Sequence, residues 1–155
     1  MNRIKRHQPI LIVEDSEDDY KAMIRAFKKS GNLANPIYRC RTGEEALDYI
    51  FQKGNYSNPS KAPRPGIILL HLNLPGTDGE EVLKTIKADE NLKLIPVIIV
   101  TTSDDPIDIE NCYRLGANTF VKKPLDLDQF FAAIKRLKHY WFELAIIPKV
   151  EEDSP

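Results

Sequence analysis

The chain is poor in cysteine, with only Cys40 and Cys112 in 155 residues, which excludes a disulfide framework as the source of its stability. Two cysteines in unrelated contexts fit a reducing cytosol, where such residues act as small core hydrophobes. Long apolar runs are absent as well. The basic, polar stretch Met1 to Pro9 leads into an apolar run, Ile10 to Val13, that is too short for a signal peptide or a membrane span. Nor is there an excess of one charge: 22 Lys and Arg stand against 23 Asp and Glu, a net −1, which leaves no electrostatic footprint for nucleic acid or for an anionic membrane. What is present, 42% hydrophobic and 29% charged residues, is the composition of one ordinary globular domain. A chain of this size buries roughly 68–70% of its unfolded surface, so the core closes without metal or disulfide. The expectation is a cytoplasmic domain, and composition is silent on its chemistry.

Ile10-Leu-Ile-Val13, Ile67-Ile-Leu-Leu70 and Val97-Ile-Ile-Val100 are continuous β-branched runs, the pattern of strands covered on both faces. Weaker strands are expected at Pro36 to Cys40 and Asn118 to Lys122. Helical periods lie between them, each with a start signal. Ser16 precedes an acidic first turn, and Gly31 ends that helix; Thr42 precedes Ala46, Leu47 and Ile50; Glu80 to Ala88 carries Val82, Leu83 and Ile86. Pro106 opens a helix that runs to Gly116, and a last helix from Leu127 places Phe130, Phe131, Ile134, Leu137 and Trp141 at core spacing. Five alternations of strand and helix predict a doubly wound α/β sheet with right-handed crossovers. The proline-bearing stretch Gln52 to Gly66 reads as a polar, featureless insertion. An N-terminal tail covers 1–9, the domain 10–141, and a C-terminal extension 142–155 ends in an acidic segment expected to be disordered.

Ligands of such folds sit outside the carboxyl ends of the strands. The strands deliver there Glu14 and Asp15, then His71, Thr101, and Lys123 followed by Pro124. Each has an ordinary reading, because an acidic pair complements a helix dipole and a lone lysine is usually solvated. Their convergence on one rim points instead to a site for a hard cation together with an anion. A flavodoxin-like cofactor binder would need a phosphate-cradling loop after the first strand, and Glu14-Asp15-Ser16-Glu17-Asp18-Asp19 is its electrostatic opposite.

Glu14-Asp15, the turn Leu72-Asn-Leu-Pro-Gly-Thr-Asp-Gly79, Ile95-Pro96, Thr101, Gly116-Ala117, Phe120 and Lys123-Pro124 together resemble the receiver domain of two-component response regulators, over Ile10 to about Tyr140. The resemblance implies a flavodoxin-like (βα)5 fold, a five-stranded parallel sheet in the order 2-1-3-4-5. It implies Mg²⁺ held by Glu14, Asp15 and the backbone carbonyl of Asn73, a phosphoryl group held by Thr101 and Lys123, a switch formed by Thr101 and Phe120, and a cis Lys123–Pro124 peptide. Ala62-Pro-Arg-Pro65, Thr101-Thr-Ser103 and the Trp141 to Pro148 ending are similar to the single-domain regulators of cyanobacterial phytochromes. That likeness implies a phytochrome-type sensor histidine kinase as partner, no output domain, and a homodimer formed through the C-terminal side. The apolar tail either joins that dimer or packs back on its own domain.

One position departs from the pattern. The family's phosphoacceptor is an Asp at the end of the third strand, and His71 stands there. An imidazole supplies no acyl phosphate and prefers softer metals than Mg²⁺, so Mg²⁺ is expected to be weakened or absent. Three expectations stay open: a protonated His71 replaces part of the missing cation, its nitrogen accepts phosphate, or the chain binds its target without phosphorylation.

Overall fold

The computed structural model describes residues 2–29, 31 and 33–148. The acidic segment Glu151 to Pro155 lies outside them. Five strands, β1 (Ile10–Val13), β2 (Ile37–Cys40), β3 (Ile67–Leu70), β4 (Val97–Thr101) and β5 (Thr119–Lys122), form one parallel sheet in the order β2-β1-β3-β4-β5. The five helices are α1 (Glu17–Lys29), α2 (Gly43–Phe51), α3 (Gly79–Ala88), α4 (Pro106–Arg114) and α5 (Leu127–Lys138).

The apolar runs explain the layering. Side chains alternate across a strand, so Leu11, Val13, Ile68, Leu70, Val97 and Ile99 enter one core with Ala46, Ile50, Val82, Leu83 and Ile86 from α2 and α3. Ile10, Ile12, Ile67, Leu69, Ile98 and Val100 enter the other with Met23 and Phe27 from α1 and Phe130 and Ile134 from α5. Both faces are covered, which is why the runs Ile10–Val13, Ile67–Leu70 and Val97–Val100 carry no polar residue.

The helix starts lie where the sequence places them. Ser16 Oγ accepts from Asp19 N at 3.2 Å, Thr42 Oγ1 from Glu45 N at 3.1 Å and Asp105 Oδ1 from Ile107 N at 2.9 Å, while Asp126 Oδ1 caps α5 through Asp128 N at 2.8 Å. Leu127 is an exception to the expected core spacing. It is half exposed and does not enter the core that Phe130 and Ile134 of the same helix join.

Two other expectations are corrected. The Gln52 to Gly66 stretch is pinned to the body: Tyr49 donates its hydroxyl to Pro63 O at 2.8 Å, Gln52 Nε2 donates to Ala62 O at 3.1 Å, and Ala62 is buried. The Lys123–Pro124 peptide is trans, since no cis peptide occurs among the described residues. Trans is the lower-energy isomer of X–Pro by roughly 0.5–1 kcal/mol.

Beyond α5 the helix widens into a π-helical turn, His139–Leu144. Trp141 and Ile147 fold back into the core of α1 and α5, and Ile147 N donates to Asn2 O at 2.8 Å. Of the two readings of the tail, the described part packs on its own domain. Tyr140, Leu144 and Ile146 nevertheless remain more than half exposed.

Candidate functional site

The strand order reverses between β1 and β3, and this places their carboxyl ends side by side. Val13 is in register with Leu70, so the next residues, Glu14 and His71, stand beside each other at the rim; His71 N donates to Val13 O at 3.0 Å. Glu14 is fully buried, and its neighbour Asp15 is exposed. One ligand atom from each of Glu14, Asp15 and His71 falls within 4.8 Å of the others, so these three could hold a metal ion.

The imidazole occupies the middle of this group. Its Nδ1 lies 3.7 Å from Glu14 Oε2, 3.8 Å from Asp15 Oδ1 and 3.0 Å from the carbonyl oxygen of Asn73. A carbonyl only accepts, so Nδ1 carries the proton and donates it to Asn73 O. The N–H thereby points into the space between three oxygens.

Lys123 approaches from β5. Its ammonium is buried and donates to Glu14 Oε1 at 2.7 Å and to Asp19 Oδ2 at 2.9 Å. Thr101, fully buried at the end of β4, is tied to the same segment, because Lys123 N donates to Thr101 O at 2.6 Å. Glu14, Asp15, His71, the Asn73 carbonyl and Lys123 are therefore brought into direct proximity, with Thr101 at the adjoining strand end. Phe120 lies apart, packed on the core under α4, and its N–H donates to the Tyr113 hydroxyl at 3.2 Å.

Several participants were not legible in the sequence. Asp19 reads as a dipole complement of α1 yet is a direct partner of Lys123. Arg39 on β2 donates from Nε to Glu14 O at 3.1 Å and from Nη1 to Glu17 Oε2 at 2.5 Å, and this guanidinium holds the Glu17 carboxyl below the usual range. Lys122, the neighbour of Lys123 in the sequence, turns to the other side of the strand. It donates to Asp104 Oδ2 at 2.8 Å and holds that carboxyl down. Only the alternation of side chains along β5 could have separated the two lysines.

The loop after His71 is itself anchored. Gly79 N donates to Leu72 O at 2.9 Å, and a side chain at Gly79 would lie 2.4 Å from His71 O, so only glycine fits there. Thr77 donates from N and Oγ1 to Glu44 Oε1 at 2.6 and 2.5 Å, which lowers the pKa of Glu44. Gly76, at φ 71°, makes the turn that brings Thr77 to α2.

Comparison with known proteins follows the same lines. The profile of the response regulator receiver domain matches residues 10–135. Response regulator Rcp1 of Synechocystis sp. is 36% identical over 139 residues, covering 90% of this chain and 92% of Rcp1. The crystal structure of the phosphorylated cyanobacterial phytochrome response regulator RcpA superposes with a TM-score of 0.86 at 38% identity, over 92% of this chain and 99% of that one. The Mn²⁺-bound form of Rcp1 gives a TM-score of 0.84 at 34% identity, with the same coverage.

Proposed function

The chain belongs to the response regulator receiver family, and on that premise we propose that it serves as a cytoplasmic signalling module, not an enzyme, beside a phytochrome-type sensor histidine kinase, with its aspartyl-phosphate route closed at His71. The likeness to RcpA, a phytochrome response regulator, and to Rcp1 supports the kinase class. The cytoplasmic reading is supported by composition; among the described residues no helix is long and apolar enough to cross a membrane.

The observation that carries the closed route is the imidazole at the end of β3, with Nδ1–H held by Asn73 O. Attack on a phosphohistidine by a carboxylate gives an acyl phosphate, and His71 offers no carboxylate. Mg²⁺ requires a near-octahedral set of oxygens at about 2.0–2.1 Å. Glu14, Asp15 and the Asn73 carbonyl are of that kind, but the ring replaces the third carboxylate, directs a proton at the others and takes the carbonyl. These residues do not fit Mg²⁺. In this reading the ring N–H supplies part of the positive pole that a cation would give. Thr101 and Lys123 keep the chemistry to hold phosphoryl oxygens, and Thr101 with Phe120 would reshape the face of α4, β5 and α5 in an acceptor-bearing form.

The test is to incubate the chain and its His71→Asp variant with a phosphorylated phytochrome-type kinase, with and without Mg²⁺. The chain takes no label; His71→Asp takes label only with Mg²⁺. Acid-labile, base-stable label on the unaltered chain would mean that the imidazole itself accepts phosphate and would sink the closed route. The bond from His71 to Asn73 also favours a second reading, an adaptor that binds kinase or target without phosphorylation. Failure of His71→Asp to gain transfer, with Glu14, Asp15, Thr101 and Lys123 intact, selects that one. Either reading includes a homodimer through the C-terminal side, supported by exposed Tyr140, Leu144 and Ile146. Light scattering is expected to give twice the chain mass of 17.7 kDa, and a monomer mass removes the dimer.

A further inference from the structure

A second cluster of charge lies at the opposite end of the sheet, where the N-terminal tail, the α1–β2 connection and the π-helical turn meet. A cavity of about 490 Å³ opens there, lined by Arg3, Arg6, Asn35, Lys138, Phe142 and Glu143 among others. Lys138 is only 7% exposed, and its side chain makes no hydrogen bond or ion pair with any described residue. Its ammonium lies beside Gly31, at 3.7 Å from where a side chain's first carbon would stand. No described carboxylate pairs with this ammonium, so a cation at the wall of the cavity is left open to an anion.

The other groups have the same bias. Arg3 and Arg6 make no ion pair with described residues, and among the described lining the one carboxylate, Glu143, is engaged with His139. The wall is also preset: Asn35 Nδ2 donates to Lys5 O and to Gln8 O, both at 2.8 Å, and so fixes the turn that carries Arg6. The cavity exceeds a single phosphate and falls within the roughly 300–1,000 Å³ of small-molecule sites. Leu33 and Phe142 add an apolar wall.

We propose that the Arg3, Arg6 and Lys138 cavity binds the phosphate group of a small molecule. The guanidinium forks pair with phosphate oxygens two at a time, and Lys138 supplies a point charge at the same cavity wall. The site is independent of His71 and of the reading of the opposite rim.

The test titrates the ¹⁵N-labelled full chain with inorganic pyrophosphate in one arm and ADP, without divalent metal, in the other. Saturable binding with amide shifts confined to residues 3–6, 33–35 and 138–143 is expected, weakening with added salt. Equal affinity in the two arms assigns a free phosphate ligand, and tighter ADP binding assigns a nucleotide whose body rests on Phe142. Lys138→Met is expected to weaken either by about tenfold, the loss of one charge-assisted bond. Arg3→Gln with Arg6→Gln, both exposed positions that leave the fold intact, is expected to weaken it likewise. No saturable shift, shifts at residues 14, 101 and 123 instead, or unchanged affinity in both variants overturns the proposal.

Discussion

Lys123 and Lys138 are buried to the same degree, 6% and 7% exposed, at opposite ends of one sheet, and their surroundings are opposites. Lys123 donates to two carboxylates, Glu14 and Asp19, at the rim where the strands end. Lys138 stands among Arg3 and Arg6 at the end where the strands begin. Lys87 shares this second end. It donates to Lys93 O and Ile95 O at 2.8 Å and to Asn118 Oδ1 at 3.1 Å, with no carboxylate, and burial pushes it down to about 8. A net charge near zero thus conceals an acidic pole neutralised from within and a basic pole that is not. Burial alone does not tell a lysine's role; the sign and number of its partners do.

The largest effect is expected from breaking the acidic pole. Lys123→Met leaves Glu14 buried without its cation, a loss of about 3–5 kcal/mol by urea denaturation. Adding Glu14→Gln to that variant is expected to restore much of the loss. Additivity of the two single changes would show that the pair does not act as a unit.

Lys87 is expected to give a smaller, pH-dependent effect. Its folded value of about 8 lies below the roughly 10.4 of an unfolded lysine, so above pH 8 the unfolded chain binds more protons. Stability therefore rises with pH between about 8 and 10.4 and is lowest, for this group, below 8. Denaturation midpoints of the chain and of Lys87→Met should converge or cross over that window. A constant difference would mean that the three acceptors hold the ammonium at its ordinary value.

The smallest effect belongs to Lys138. Replacing an ammonium that has no carboxylate partner among the described residues with an apolar side chain of similar length is expected to leave stability within about 1 kcal/mol of the parent or to raise it. A loss as large as that of Lys123→Met would reveal a structural partner and erase the contrast between the poles.

The strands, the helix caps and the rim residues were legible because each is a local matter. Ile10 to Val13 needs both faces covered, Thr42 caps its own helix, and strand ends in a doubly wound sheet share one side. The acidic cluster could be read from Glu14 and Asp15 for the same reason. Partnerships were less legible. Nothing in Lys122-Lys123 states which lysine turns inward, and Asp19 and Arg39 reach the site only once α1 and β2 are docked. The basic pole was invisible, since positions 3, 6 and 138 meet through the packing of Trp141 and Ile147 on the core. The position of His71 was read correctly, whereas its bond to Asn73 depends on how the following loop is tied to α2 by Glu44 and Thr77.

The central strand pair has a consequence for the order of assembly. β1 lies between β2 and β3, and its partner Ile67 is reached from Ile10 only across all of β2, α2 and the proline stretch. The entropy of closing that long loop has to be spent before the pair returns any stabilisation, whereas β3 and β4 meet over a single helical crossover. Docking of β1 onto β3 is therefore expected to be the slow step of folding. Changes at Ile12 or Leu69 should act on the refolding rate, and changes at the β5 edge mainly on the unfolding rate.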